Sequence, residues 1–237
     1  MRDAGWAKVL RIVVLVLMSL TAFLTIMAGA GTTCVALNPT GFGGKFAGIA
    51  SFQWLYILLF VVGTLAIGVM GVRAVVLIVR GARNAYRYSL IALIAGAVVG
   101  IGHIAASRAL RGGSMPVDMV VYVTLVTLVV FLLIRIPAVW QGVDFEKPER
   151  ASGSGKGAAA AAMAACGLLA LTIQFLMEPT HTIGGVNYAD AWHITLTAIG
   201  ATLLAWSAAR FLRGALRLDA LEALPGELRS EPAVGDS

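Results

Sequence analysis

Charge, cysteine and catalytic motifs are all scarce in this chain. Only 13% of its 237 residues are charged, against about 25% in a typical soluble domain. Two cysteines are too few for a disulfide framework, and they do not read as a pair: Cys34 falls in the first connection, Cys166 midway along an apolar run. There is no H-E-x-x-H, no paired C-x-x-C, no phosphate-binding glycine loop and no Ser/His/Asp arrangement, so no catalytic class is indicated by motif. Asp, Glu and Lys are missing from the middle thirds of the apolar runs. Proton pumps and ion-coupled transporters place such groups at depth. Their lack counts against those classes and leaves a carrier for neutral solutes open.

What is present is apolar length. Hydrophobic residues make up 59% of the chain, concentrated in charge-free runs: Ile12–Gly44, Ser51–Val72, Ser89–Ser107, Met119–Ile134, Gly157–Met177 and Ala191–Ala209. A spanning helix needs roughly 20 mainly apolar residues. The pattern predicts an all-α polytopic membrane bundle with six spans near 12–31, 52–72, 88–107, 119–139, 157–177 and 191–209. The fourth run holds 16 residues and reaches 139 only if Arg135 snorkels to the headgroups. The run after Arg11 is longer than a signal-peptide core, so Ala28-Gly29-Ala30 reads as part of a retained span rather than a cleavage site.

The basic residues assign an orientation. Of 18 Lys and Arg, all but Lys45, Arg108 and Arg111 fall on the side of the termini. The positive-inside rule then makes both termini cytoplasmic. Trp54, Tyr56, Tyr122, Tyr188 and Trp192 read as an outer aromatic belt, and Trp6, Tyr86, Tyr88 and Trp140 as an inner one. Cysteines placed in Thr40–Gly44 or Gly184–Asn187 are expected to react with an impermeant reagent from outside, and cysteines in Ser152–Gly155 to stay protected. The reverse labelling would invert the orientation. Arg outnumbers Lys 14 to 4 and the loops are short, which points to a bacterial inner membrane. The basic excess reads as topology, with the lipid bilayer as partner and no nucleic acid.

Residues 1–217 form the membrane domain in this reading. Val143–Gly157 is a flexible linker, and residues 218–237 form a disordered cytoplasmic tail with proline, glycine and acidic residues. A parallel internal duplication is a further reading: Pro39-Thr40 and Pro179-Thr180 each lead to a Gly-Gly pair, and Arg80-Gly81 and Arg213-Gly214 each follow the next span. The Gly-Gly to Arg-Gly distances of 37 and 29 residues weigh against it.

Helix packing is signalled by small residues. Ala92, Gly96 and Gly100 recur every four residues, and Gly68 and Gly71 offer a second notch. His103 and Ser107 continue the Gly96–Gly100 face and are expected to point into the bundle. All three histidines, His103, His181 and His193, map to the sparsely charged side, near Glu178 and Asp190. Three readings stand for this cluster. The first is ordinary interfacial hydrogen bonding. The second is a haem or metal site, with His103 and His193 holding a cofactor, or with Glu178, His181, Asp190 and His193 around a metal. The third is a quinone or small-solute pocket framed by His103 and the glycine-rich loop. For the whole protein, a non-catalytic structural or assembly subunit of a membrane complex, or a homo-oligomer, is preferred. A redox subunit binding haem, metal or quinone, and a transporter of a neutral or weakly polar solute, are the alternatives.

Overall fold

The computed structural model describes residues 5–143 and 154–222, so most of the expected linker and all of the tail beyond 222 lie outside the described residues. Eight α-helices follow in order: α1 (Gly5–Leu37), α2 (Gln53–Tyr56), α3 (Gly63–Arg80), α4 (Ala85–Arg111), α5 (Val117–Ile134), α6 (Pro137–Val143), α7 (Ser154–His181) and α8 (His193–Glu222). A 3₁₀ turn, Ala47–Phe52, leads into α2, and a π-helical stretch, Ile57–Val62, joins α2 to α3. Six helical stretches are long and apolar enough to cross a membrane, which makes the chain a multi-pass helical membrane protein.

The helices stop where local chemistry stops them. Gly81 ends α3 in the left-handed conformation at φ 62°, its N–H donating to the Ile78 carbonyl. Gly112 ends α4 in the same way at φ 72°. Three sequence-based boundaries move. With 33 residues, α1 is longer than expected and takes Cys34 into its final turns instead of leaving it in the connection. The fourth span does not run to 139: α5 ends at Ile134, and Pro137 opens the separate helix α6. Proline has no N–H to continue the ladder and its ring clashes with the preceding turn. Eighteen residues already rise about 27 Å, so the span needs no extension past Arg135. The Arg135 guanidinium lies over the rings of Trp140, at 4.7 Å, and Tyr86, at 5.7 Å. Finally, α8 continues to Glu222, into the segment read as tail from 218.

Packing is organised around α1. It lies against α3, α5, α6 and α7, and α4 closes a four-helix bundle by packing on α3 and α5. The remaining pair, α7 and α8, forms a hairpin that docks on α1 through α7. Small residues sit at the close approaches. A Cβ added to Gly68 would lie 2.6 Å from Ile26, and one on Gly71 2.8 Å from Ala22, on the α1–α3 seam. One on Gly100 would lie 2.5 Å from Val121 of α5, and one on Gly96 3.4 Å from Ile67 and from Thr124. Ala92 is buried in the same core, with Leu15, Met18, Leu93 and Phe131. These notches are thus occupied by helices of the same chain.

A buried hydroxyl pair, Thr21 Oγ1 and Thr127 Oγ1 at 2.8 Å, links α1 to α5 across this core. Lipid offers little apolar driving force between helices, so such bonds carry a larger share of association than in water. Thr127→Val is expected to lower resistance to unfolding in mixed micelles by about 0.6–2 kcal/mol, with Thr127→Ser close to the parent. Equal stability of all three would show that the pair contributes nothing.

Candidate ligand cavity at the loop end

Because α5 and α7 each lie on α1 but scarcely touch each other, a gap runs between them. At the end of the bundle opposite the termini it widens into a cavity of about 370 Å³. Leu24, Met27, Gly31 and Val35 of α1 line one wall, Val117 and Val120 of α5 another, and Ile173 and Met177 of α7 a third. The lining is mostly apolar, as expected of a small-molecule site, and the volume is at the small end of such sites.

Two glycine-rich loops cover it. One follows α1 and turns through Gly43 and Gly44, with φ of 58° and 74°. The other is a two-stranded hairpin, β1 (Thr182–Ile183) and β2 (Val186–Asn187), turned by Gly184 and Gly185 with φ of 59° and 81°. These left-handed conformations suit glycine because no Cβ is present to clash. The loops meet through Phe42 and Tyr188, whose ring centroids are 5.0 Å apart edge to face. Phe46 stacks edge-on against Phe42 at 6.0 Å. The Gly-Gly pairs that suggested a repeat in the sequence therefore lie in the two covering loops.

The polar groups of the cavity come from separate elements. His103 of α4 is buried, and its Nε2 is 2.7 Å from the Tyr56 hydroxyl. Its ring stacks on Phe60 at 4.6 Å. Tyr56 is 5% exposed, so it is a core residue and not part of the interfacial belt in which the sequence reading placed it. The reason is the path of the second span, whose π-helical stretch begins immediately after Tyr56 and turns Tyr56 and Phe60 toward His103. Arg111, at the end of α4, lies over the Phe46 ring at 5.2 Å and donates to the Met115 carbonyl at 2.9 Å. Gln174 of α7, 7% exposed, accepts from His193 Nδ1 at 2.8 Å through its amide oxygen. Neither Arg111 nor Gln174 was singled out by sequence; Arg111 entered only as one of three basic residues on the sparse side.

The proposed ligand sets are dispersed. His103 and His193 belong to helices that are not packed neighbours: α4 lies on α3 and α5, α8 on α7. Each imidazole has its own partner, Tyr56 for one and Gln174 for the other. His181 closes α7 with Nδ1 3.1 Å from the Met177 carbonyl, and it lines the cavity. Burial holds His181 below the ordinary histidine range, the Met177 carbonyl opposes that shift, and nearby Lys45 adds to it. Asp190 accepts from the Asn187 amide at 3.2 Å, and the backbone carbonyl of Glu178 accepts from the Thr182 hydroxyl. Among the described residues no three His, Cys, Asp or Glu side chains gather closely enough to hold a metal ion. Glu178 and His181 thus stand at the end of α7, Asp190 in the following turn and His193 at the start of α8, with His103 on α4. Comparison with protein-family models, with curated proteins and with solved structures found no match.

Proposed function

We propose that this multi-pass membrane protein binds a small, largely apolar molecule in the cavity between α1, α5 and α7. The observation that carries the reading is the cavity itself: about 370 Å³ of mainly apolar space with a few polar groups converging on it. The small residues that would support a purely structural subunit, Gly68, Gly71, Gly96 and Gly100, meet helices of this same chain. Among the described residues neither a gathered metal donor set nor a histidine pair on packed neighbouring helices supports the metal and haem alternatives. The loop end faces outward and the membrane is a bacterial inner membrane in this proposal, on the strength of the basic-residue asymmetry.

Gly31 offers the test. It lines the cavity, and a Cβ built on it meets nothing within 4 Å. Gly31→Phe therefore starts from a Cβ that meets no neighbour and adds a ring at the cavity wall. An apolar fluorescent reporter, N-phenyl-1-naphthylamine, is expected to bind the purified protein saturably and to lose about tenfold or more in affinity with Gly31→Phe, at unchanged helicity. Saturable binding unaffected by Gly31→Phe would place the reporter elsewhere and remove the proposal.

A further inference from the structure

We propose that the ligand is a membrane-borne, single-chain amphiphile with an anionic head, its head held by Arg111 and its chain lying along α1 between α5 and α7. This rests on the cavity being a ligand site and adds the chemical class.

The charge pattern identifies the head. Among the described residues Asp118 is the carboxylate paired with Arg108, at 3.2 Å, and Arg111 has no carboxylate partner. No Asp or Glu among the described residues lines the cavity, while Arg111 does. A guanidinium at the edge of an apolar cavity, with Asp118 acting on it only from beyond ion-pair distance, favours an anion, which it can engage through two parallel N–H bonds. Gln174 adds a donor. Its amide oxygen is taken by His193, which leaves its NH₂ unpartnered among the described residues, on a side chain more than nine-tenths buried against the cavity. That NH₂ is available to donate to a ligand oxygen.

The shape identifies the chain. The cavity follows α1 from Leu24 to Val35, about 16 Å of helix at 1.5 Å per residue. The lining along this length is mostly apolar. Its side is the gap between α5 and α7, where Met119 lines the cavity and is also 47% exposed. In a six-span protein this gap faces acyl chains, so the ligand reaches the site from the bilayer without crossing water.

The probes are dodecanoate and dodecanol, which share a chain and differ in head charge, used as competitors of the naphthylamine reporter on the full-length protein in uncharged detergent at pH 8. Dodecanoate is expected to displace the reporter about tenfold more strongly than dodecanol, the scale of one charge-assisted bond. Arg111→Gln is expected to abolish that preference, read as the ratio of the two competitors against the variant's own reporter affinity. If the parent protein binds the reporter but treats the two competitors alike, the anionic head is refuted and the cavity proposal survives. A preference that persists in Arg111→Gln would likewise remove Arg111 from the head site. If neither competitor displaces a reporter that Gly31→Phe does exclude, the single-chain ligand is refuted. If the reporter itself does not bind saturably, both proposals fall. Helicity and a monodisperse size-exclusion profile equal to the parent's show that Arg111→Gln is folded.

Discussion

Gly200→Leu is expected to separate α8 from α7 and to cost most of the folded, monodisperse protein. The two helices touch backbone to backbone. A Cβ on Gly200 would lie 2.9 Å from the Gly167 carbonyl oxygen and 2.7 Å from Leu171, and one on Gly167 would lie 3.0 Å from the Gly200 carbonyl oxygen. A flexible side chain can move aside for a new methyl group, but a helix backbone cannot do so without moving the whole helix. Overpacking costs about 1–3 kcal/mol, and contact with main chain on both sides puts this site at the upper end. The loss matters more here than elsewhere because α8 has α7 as its main packing partner. Size-exclusion profiles and unfolding in mixed micelles would register the loss. Leu at the neighbouring, partly exposed Ile199 is the control and should behave as the parent. Equal behaviour of Gly200→Leu and Ile199→Leu would show that the close crossing does not hold the hairpin.

Asp118→Ala is expected to be the second most damaging change, and to weaken the cavity as well as the fold. Asp118 lies in the first turn of α5, where a carboxylate is also favoured by the helix dipole. One of its oxygens accepts from the Ser114 hydroxyl at 2.7 Å, the other from the Arg108 guanidinium at 3.2 Å. Ser114 and Asp118 are both buried. Alanine would leave the Ser114 hydroxyl without its acceptor, which costs about 1–3 kcal/mol. The Arg108 side chain is 59% exposed, so its share is screened by water and small. The same residues frame the connection that carries Met115, Pro116 and Val117 into the cavity wall. Reporter affinity should therefore fall together with the unfolding free energy, and Asp118→Asn, which keeps one acceptor oxygen, should lie between parent and alanine. A destabilised Asp118→Ala with full reporter affinity would show that the connection does not shape the cavity.

What could be read directly from the chain was local. Charge-free runs of about 20 residues identify spans because each residue's transfer into hydrocarbon is nearly independent of its neighbours. The stop at Gly81 is local too, because a left-handed cap suits glycine whatever surrounds it. The break at Pro137 is equally local, because proline cannot continue the ladder however apolar the residues around it are.

Tertiary structure decided the rest. Tyr56 and His103 are 47 residues apart, and nothing in either neighbourhood says that their side chains meet; that follows from the π-helical stretch after Tyr56 and the packing of α3 on α4. In sequence Arg111 is a cation at a helix end like any other, and only the fold places it in the cavity lining. The cavity exists because α7 docks on α1 and leaves a gap toward α5, a choice of partner made among helices that are all apolar on most faces. Hydropathy cannot rank such partners in a bilayer, where lipid is as apolar as the helix it replaces; small-residue fit and a few interhelical hydrogen bonds decide, and these depend on residues far apart in the chain.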